Sequence, residues 1–429
     1  MKYFGTDGIR GVPNEKLTVE LVTKLGSALK ALGNKDVVLA TDTRLSKDML
    51  ANAISAGALA SGLNIHFIWV VPTPALIYYS YVHKMTGVMI TASHNPYTDN
   101  GIKVLKNGKK LSEEDELKVE ALIDNPEEKG KNIGTFINEK NAKNEYLDFI
   151  KKFISKTNKK IVIDTANGAT YQTAVEIFNE ITPNLVVIAN EPDGYNINNN
   201  CGSTHLEGLK KKVVEEKADL GFAFDGDGDR VLAVDSNGNT IDGDMLIYIF
   251  ARYLKKNNKL NKNKIVLSMM SNLGLLKSLK EDGIEVIETP VGDKYIVRAL
   301  FENGLSVGGE NSGHIILPDV LHTGDGVLNA VMLVKVLEET NTSIGDWLLN
   351  VSMYADKMVN IKVNDKNKVL NNKALFKRIE EIKNELNNDC KIIVRASGTE
   401  DLIRVSVMCK NALLVDKYSN ELVSLVKVI

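Results

Sequence analysis

Short β-branched runs alternate with amphipathic helical stretches three times along this chain. The apolar runs lie at 36–40, 65–71 and 87–91 in the first unit, at 160–164, 185–188, 221–224 and 231–234 in the second, and at 264–268, 284–287, 306–309 and 314–317 in the third. Such alternation predicts mostly parallel sheets that are covered by helices. A polar or glycine-rich motif follows or interrupts a strand at a comparable place in each unit, so the pattern also indicates a threefold structural repeat.

The pattern changes after residue 354, where the sequence becomes rich in Lys and Asn. One long amphipathic helix is predicted over 373–387, with strands over 391–395 and 402–408. The predicted fold class is therefore α/β, with three similar α/β domains of mixed, mostly parallel sheets and a smaller C-terminal α+β domain. The expected domains are 1–139, 140–239, 240–353 and 354–429.

Composition adds few constraints. The 429 residues are 44% hydrophobic and 25% charged, as in ordinary globular proteins. A net charge of −2 gives no strong field that would attract nucleic acid or a membrane surface. The apolar stretch 65–82 has Pro72 and Pro74 near its middle, so it predicts a strand, a turn and a helix rather than a membrane span.

The cysteines favour a reducing compartment. Cys201, Cys390 and Cys409 are widely spaced and odd in number, which predicts free thiols in the cytoplasm rather than a disulfide framework. The first residues lack an apolar segment of the kind that secretory signals contain. We therefore expect a cytoplasmic protein.

The segment 225–230, Asp-Gly-Asp-Gly-Asp-Arg, lies between two apolar strands. Its carboxylates occupy alternate positions, and the glycines let the backbone curl so that the carboxylates converge. Converging carboxylates bind hard divalent cations. An acidic surface turn is the alternative, but its three charges would repel one another without a cation. The predicted metal ligands are Asp225, Asp227 and Asp229.

A serine follows the apolar strand 87–91. Ser93 stands where open α/β sheets place their ligands, at the carboxyl end of a strand. His94 beside it and Lys103 downstream are candidates for proton transfer. An Asn-Pro turn with a serine cap would explain the same residues, so the motif alone leaves a catalytic role for Ser93 open.

A glycine-rich loop at 308–314 offers a carboxylate, a hydroxyl and an imidazole. Glu310 can accept hydrogen bonds from two adjacent hydroxyls, and the glycines allow a polyol to approach closely. Ser312 and His314 stand in the same loop. A glycine-rich turn with a solvated glutamate is the simpler interpretation, and this loop alone does not decide between them.

The segment 395–400, Arg-Ala-Ser-Gly-Thr-Glu, has the parts of a phosphate cradle. It offers a guanidinium fork, two hydroxyls and a glycine that lets successive amides point inward, and Arg404 follows. A polar hairpin is the alternative. The loop Val291-Gly-Asp-Lys294 and the opening segment with Arg10 add further cationic positions next to glycines.

These features fit one reaction. A cation that is held by three aspartates needs an anionic ligand, and a phosphorylated Ser93 would carry about −1.5 to −2 charges. The cradle in the tail would hold a second phosphate on the substrate, and the polyol loop lies between them. Together they predict phosphoryl exchange between an enzyme serine and a phosphosugar.

The motifs TASHNP, DGDGDR, GENSGH and RASGTE, in this order and spacing, resemble those of the α-D-phosphohexomutase superfamily over the whole chain. The stretches FGTDGIRG, 164–169 and 193–205 resemble the branch that acts on glucosamine phosphates. The resemblance implies four domains around a central cleft. It implies interconversion of glucosamine 6-phosphate and glucosamine 1-phosphate through a phosphoserine and a 1,6-bisphosphate, which supplies cell-wall precursors.

The same resemblance implies roles for single residues. Ser93 would be the phosphoserine and would bind one Mg²⁺ together with the three aspartates. Arg10 would contact the phosphoserine, and Lys103, His94 and His314 would take part in acid–base chemistry. The residues implied to bind substrate are Lys294, Glu310, Ser312, Arg395, Ser397, Gly398, Thr399 and Arg404. A hexose 1,6-bisphosphate is the implied activator, and a homodimer stays open.

Two motifs depart from the superfamily pattern, at three positions in total. The usual Gly-Arg-Asp-Thr-Arg is Ala-Thr-Asp-Thr-Arg at 40–44, and the usual Gln of the sugar loop is Asn311. Both differences bear on substrate preference rather than on the chemical groups. The alternatives are a mutase for glucose or mannose phosphates, a Mg²⁺-dependent sugar phosphatase and an inactive sugar-phosphate-binding protein.

Overall fold

The structure, a computed structural model, describes residues 2–5, 7–126, 132–396 and 402–429. Three successive α/β units are followed by a smaller unit with an antiparallel sheet, as the sequence predicts. In the described residues, no helix combines the length and apolar character that crossing a bilayer requires. The three cysteines are free thiols, also as predicted.

The first unit contains a seven-stranded mixed sheet. Its strands are β1 (Ile9–Gly11), β2 (Asp36–Thr41), β3 (Asn64–Val70), β4 (Thr86–Ile90), β5 (Asn100–Lys106), β6 (Lys109–Lys110) and β7 (Phe136–Asn138). Its helices are α1 (Val19–Ala28), α2 (Lys47–Ala60), α3 (Thr73–His83) and α4 (Glu113–Asp124). The order across the sheet is β1-β5-β4-β2-β3-β7, and β6 pairs with β5.

The second unit contains a five-stranded sheet in the order β12-β11-β10-β8-β9. Its strands are β8 (Ile161–Asp164), β9 (Leu185–Ile188), β10 (Leu220–Phe224), β11 (Val231–Asp235) and β12 (Thr240–Ile241). Its helices are α5 (Ala142–Lys151), α6 (Thr173–Ile181) and α7 (Glu207–Glu216). Strand β10 is fully buried, as expected for a strand covered on both faces.

The third unit contains a four-stranded sheet in the order β14-β13-β15-β16. Its strands are β13 (Lys264–Ser268), β14 (Glu285–Thr289), β15 (Gly308–Gly309) and β16 (Ile315–Ile316). Its helices are α8 (Gly243–Lys256), α9 (Leu273–Glu281), α10 (Asp293–Asn303), α11 (Gly326–Thr340) and α12 (Ile344–Leu348).

The same four-strand core recurs in all three α/β sheets. The core consists of β2–β5 in the first unit, β8–β11 in the second and β13–β16 in the third. In each core, the first strand lies between the second and third strands and runs parallel to both. The third strand then pairs antiparallel with the fourth. This topology confirms the predicted threefold repeat. The connection between the third and fourth strands carries the Ser93 loop, the aspartate loop and the Glu310 loop in turn, so equivalent loops supply the candidate site.

The fourth unit is a three-stranded antiparallel sheet in the order β17-β19-β18. Its strands are β17 (Ala355–Lys362), β18 (Cys390–Ala396) and β19 (Leu402–Cys409), and its helices are α13 (Lys366–Leu370), α14 (Lys373–Glu385) and α15 (Ala412–Val428). The predicted helix and the two predicted strands are present. Strand β17 and helix α15 were not predicted from the sequence. The buried residues of α15 pack against the sheet.

The start of α3 shows how local sequence positions a site residue. Pro72 has an extended conformation and precedes the helix, and Pro74 lies in the first turn, where a missing N–H is tolerated. The turn presents Thr73, whose backbone N–H donates to the carbonyl of Asp227 at 2.8 Å. The first unit is thereby joined directly to the aspartate loop.

Candidate active site

Ser93 lies in the loop between β4 and β5 and is buried. Its φ of 54° is in the left-handed region, which disfavours residues with a Cβ. The N–H of Ser93 donates to Oγ1 of Thr91 at 2.9 Å. Left-handed backbone at a residue other than glycine is maintained only where surrounding contacts determine it, and such sites are common in active centres.

Arg44 supplies many of those contacts from its position after β2. The side chain is fully buried and donates to the carbonyls of Ser93 at 2.9 Å, Asn95 at 2.8 Å and Asp99 at 3.0 Å. Its Nε donates to Oδ2 of Asp42 at 2.9 Å. Burial raises the pKa of Asp42 although the guanidinium opposes the shift. The pair thus fixes the backbone of the serine loop.

The three predicted aspartates converge between β10 and β11. Asp225, Asp227 and Asp229 are buried and each offers a carboxylate oxygen within 4.8 Å of the others. Burial, followed by the charges of Asp229 and Asp227, raises the pKa of Asp225 well above its ordinary value. In the described residues, Oδ1 of Asp227 and Oδ1 of Asp229 are buried without a hydrogen-bond partner. Unpartnered carboxylate oxygens of this kind fit a bound hard cation.

The serine loop and the aspartate loop are in direct contact. Oγ of Ser93 donates to Oδ2 of Asp225 at 2.7 Å. Oγ1 of Thr73 donates to Oδ2 of Asp227 at 2.6 Å. The candidate nucleophile and the candidate metal ligands therefore form one cluster, as the sequence motifs suggest.

Lys103 extends from β5 into this cluster. Its Nζ lies 2.8 Å from Oδ2 of Asp227, 3.5 Å from Oδ2 of Asp229 and 3.3 Å from Oδ2 of Asp7. Burial alone would lower the pKa of Lys103, but the carboxylates outweigh burial and raise the pKa well above its ordinary value. Lys103 is consequently held as an ammonium group.

Asp7 links several cations at the edge of the cluster. Its carboxylate contacts Nη2 of Arg10 at 2.5 Å and Nζ of Lys110 at 2.9 Å, in addition to Lys103. Burial would raise the pKa of Asp7, but these cations hold it well below its ordinary value. Nζ of Lys110 also lies 2.6 Å from Oδ2 of Asp293, at the start of α10. The first and third units are thus joined by charge.

His94 faces the aspartate loop. Nη1 of Arg230 lies 3.1 Å from Nδ1 of His94. Burial and the charges of Arg230 and Arg10 lower the pKa of His94 to about 4. Its imidazole is therefore neutral near pH 7, and Arg230 is the permanent cation of this pair.

His314 approaches the aspartates from the third unit. Its Nδ1 lies 3.6 Å from Oδ1 of Asp229, and its buried Nε2 has no hydrogen-bond partner in the described residues. Burial alone would lower the pKa of His314, but Asp229 outweighs burial and raises it. All three α/β units therefore contribute to one site.

The Glu310 loop is held in shape by its own hydrogen bonds. The carboxylate of Glu310 accepts from the N–H of Gly292 at 3.0 Å and from Oγ of Ser312 at 3.4 Å. The N–H of Gly243, at the start of α8, donates to the carbonyl of Asn311 at 3.0 Å. The side chain of Lys294, in the neighbouring loop, is exposed, and its ammonium lies 5.1 Å from the ring centroid of Tyr295.

The fourth unit brings two arginines together. Arg395 on β18 and Arg404 on β19 are direct cross-strand partners. Burial and the charge of Arg404 lower the pKa of Arg395, and the carboxylate of Glu310 opposes the shift. Adjacent guanidinium groups that repel each other are suited to an anion. The other predicted members of this cradle, Ser397, Gly398 and Thr399, lie outside the described residues.

Several contact residues were not identified from sequence. Arg44, Asp42, Thr73, Asp7 and Lys110 hold the groups above in place, and none was assigned a role, although Asp7 lies in FGTDGIRG and Asp42 and Arg44 lie in the segment 40–44. The available signal was position, since Asp42 and Arg44 follow the end of β2 just as Ser93 follows the end of β4. A search of strand ends for buried charges would have found this pair.

Four family models match the chain in order. They describe the α/β/α domains I, II and III of phosphoglucomutase/phosphomannomutase, at residues 1–130, 144–238 and 242–354, and the C-terminal domain of the same proteins at 358–424.

Individual proteins agree with these matches. A phosphoglucosamine mutase from Bacillus subtilis is 41% identical over 99% of this chain and 98% of its own length. A phosphoglucomutase/phosphomannomutase family protein from Burkholderia thailandensis has the same fold, with a TM-score of 0.81, 23% identity and coverage of 99% and 97% of the two chains. N-acetylphosphoglucosamine mutase from Aspergillus fumigatus, solved with GlcNAc-6P and magnesium, has a TM-score of 0.71, 16% identity and coverage of 98% and 95%. The chain therefore belongs to the phosphoglucomutase/phosphomannomutase family of α-D-phosphohexomutases.

Proposed function

We propose that this protein interconverts glucosamine 6-phosphate and glucosamine 1-phosphate through a phosphorylated Ser93. The observation that carries the proposal is the 2.7 Å contact between Oγ of Ser93 and Oδ2 of Asp225, inside a cluster of three convergent carboxylates. The 41% identity to a phosphoglucosamine mutase over nearly the whole chain supports the choice of sugar.

Mg²⁺ is the cation that we assign to the three aspartates. Oδ1 of Asp227 and Oδ1 of Asp229 are buried and accept no hydrogen bond within the described residues. This supports the assignment, because such oxygens fit an oxygen-binding divalent ion. When bound, Mg²⁺ supplies charge neutralisation for a phosphoryl group that is in transfer. Ser93 and Asp225, Asp227 and Asp229 are the groups that would hold it.

The first half of the reaction begins at phosphorylated Ser93. The bond between phosphorus and Oγ breaks, a bond between phosphorus and the 1-hydroxyl oxygen of glucosamine 6-phosphate forms, and the hydroxyl proton is passed to Oγ of Ser93. In the second half, the bisphosphate turns over, and the bond between phosphorus and its 6-oxygen breaks. The 6-phosphoryl group returns to Oγ of Ser93, the Oγ proton passes to the 6-oxygen, and glucosamine 1-phosphate is released. Both halves move the same group, so one set of cations serves both.

The surrounding polar groups divide this work. Arg10, Arg230 and the ammonium of Lys103 balance the charge of the phosphoryl group. Lys103 and His314 are the assigned proton carriers, and neutral His94 orients Arg230. Phosphoryl transfer through a loose transition state depends more on positioning and charge than on a strong base, so Lys103 can act from its ammonium form as a proton donor to the departing oxygen.

Substrate orientation is assigned to the third and fourth units. Glu310 accepts hydrogen bonds from sugar hydroxyls, Ser312 donates to or accepts from them, and Lys294 is a further group assigned to the substrate. The groups assigned to the phosphate that is not being transferred are Arg395, Ser397, Gly398, Thr399 and Arg404. We divide the chain into domains at 1–139, 140–239, 240–353 and 354–429. In this order, they supply the Ser93 loop, the aspartate loop, the Glu310 loop and the phosphate-binding segment.

A substrate comparison tests the proposal. The kcat/KM values for glucosamine, glucose and mannose 6-phosphates are measured under one set of conditions with glucose 1,6-bisphosphate present. We expect the highest value for glucosamine 6-phosphate and no release of inorganic phosphate. A higher kcat/KM for glucose or mannose 6-phosphate would show that the assigned sugar is wrong. Stoichiometric release of inorganic phosphate would show that the protein is a phosphatase rather than a mutase.

A further inference from the structure

The side chain of Asn198 reaches from the second unit into the first. It is buried, and its Nδ2 donates to the carbonyl of Ser93 at 2.9 Å and to the carbonyl of Asn95 at 3.1 Å. Its own N–H donates to the carbonyl of Ala166 at 2.9 Å, which anchors it to the second unit. A carboxamide can donate two hydrogen bonds through one nitrogen, and Asn198 uses both on the serine loop.

The same two carbonyls also accept hydrogen bonds from Arg44. Arg44, which belongs to the first unit, donates to Ser93 and Asn95 at 2.9 and 2.8 Å. Each carbonyl therefore accepts one bond from within its own unit and one from the neighbouring unit. Arg44 fixes the shape of the loop, and Asn198 fixes the loop relative to the aspartates.

Gly226, between two of the aspartates, lies against this junction. A Cβ at Gly226 would lie 2.6 Å from the carbonyl oxygen of Ser93 and 2.7 Å from Nδ2 of Asn198. The aspartate loop is thus packed directly on the hydrogen bond between Asn198 and Ser93. Displacement of the serine carbonyl would change the 2.7 Å contact of Ser93 with Asp225.

We propose that Asn198 is a positioning residue for phosphoryl transfer, which it serves by holding the left-handed Ser93 loop against the aspartate loop. The expected effect on kcat rests on the proposed function. The hydrogen bonds by which Asn198 clamps the serine loop to the second unit do not depend on it. A nucleophile that is misplaced by about 1 Å loses about 100-fold in rate, so the loss should appear in kcat.

Three variants separate this role from packing. Asn198→Gly removes the carboxamide and suits the φ of 58° without strain. Asn198→Asp keeps the shape but turns a carboxylate oxygen toward two carbonyl oxygens. Asn200→Gly is the matched control, because Asn200 has a φ of 53° in the same loop and is exposed.

The first readout is kinetic. We expect Asn198→Gly to lower kcat about 10- to 100-fold with KM within about twofold, Asn198→Asp to be at least as impaired, and Asn200→Gly to match the wild type. Wild-type kcat in Asn198→Asp would show that shape alone suffices and would overturn the proposal. Equal losses in Asn198→Gly and Asn200→Gly would do the same.

The second readout does not depend on the reaction. Hydrogen–deuterium exchange of peptides that cover 91–99 should be faster in both Asn198 variants than in the wild type and unchanged in Asn200→Gly. Unchanged exchange in the Asn198 variants would overturn the clamp. If the wild type fails to isomerise glucosamine phosphate, the proposed function is wrong, and the exchange result still decides whether Asn198 holds the serine loop.

Discussion

Oγ of Ser93 lies 2.7 Å from Oδ2 of Asp225, although the two residues are 132 positions apart in the sequence. The contact joins two equivalent loops. One loop connects β4 and β5 in the first unit, and the other connects β10 and β11 in the second. Because each unit presents this loop at the same place, packing of the units brings a nucleophile and a carboxylate cluster together. The repeat thus explains how the site is assembled.

Replacement of Asp227 with Asn should weaken Mg²⁺ activation. The variant removes one of three converging charges and leaves the shape of the side chain almost unchanged. We expect the Mg²⁺ concentration for half-maximal activity to rise at least about tenfold, with a matching loss of affinity in calorimetric titration. Asp219→Asn is the control, since Asp219 is exposed and its carboxylate accepts a hydrogen bond from the backbone N–H of Lys160, away from the aspartate loop. Equal Mg²⁺ responses in both variants would remove Asp227 from the metal site.

Replacement of Arg395 with Ala should weaken substrate binding. Arg395 and Arg404 are cross-strand partners, so the variant removes half of a guanidinium pair. We expect KM for glucosamine 6-phosphate to rise about tenfold or more, and Arg395→Lys to lie between the variant and the wild type, because an ammonium group cannot bind phosphate in a bidentate way. Arg378→Ala, in α14 and paired with Glu421, serves as the control. An unchanged KM in Arg395→Ala would contradict the phosphate assignment.

Replacement of Arg44 with Ala should destabilise the first unit. The change leaves the carboxylate of Asp42 buried without its guanidinium partner, which is a loss of about 3–5 kcal/mol in comparable pairs. Urea unfolding measures the shift of the transition midpoint. Arg298→Ala, which breaks the exposed pair with Glu302, should leave that transition in place. A shift no larger than that of the control would show that the buried pair is not stabilising.

Stability should depend on pH through Asp164. Burial raises the pKa of this carboxyl from 3.8 to about 6, so between these values the folded protein binds more protons than the unfolded chain. The contribution of Asp164 to stability is therefore present at low pH and is lost as pH rises from about 4 to about 6. The stability of the wild type minus that of Asp164→Asn should fall over this window, by at most about 1.4 kcal/mol per pH unit. A constant or rising difference would contradict the assignment.

Much of the fold follows from the sequence because its strands are continuous apolar runs. Strands such as β4 and β10 are buried throughout, and polar or glycine-rich motifs mark where they end. Strand β17 was harder to predict because it alternates exposed and partly buried residues within Lys- and Asn-rich sequence. Its pairing with β19 decides its conformation, and that pairing is a long-range contact.

The site was predictable where side chains act on a ligand and less so where they act on the backbone. The alternate spacing of Asp225, Asp227 and Asp229 predicts a cation site. Arg44 and Asn198 donate to backbone carbonyls of the serine loop. Because every residue has a backbone carbonyl, the sequence does not indicate which carbonyls accept such bonds. Their roles became visible only when the distances between the units were known.

The location of the phosphoryl group tests the central claim most directly. Purified protein is incubated with glucose 1,6-bisphosphate and Mg²⁺, and its intact mass and phosphopeptides are measured beside those of Ser93→Ala. The account predicts the addition of one phosphoryl group, located on Ser93, and neither the addition nor turnover in the alanine variant. A phosphoryl group on another residue, or near-normal turnover in Ser93→Ala, would contradict it.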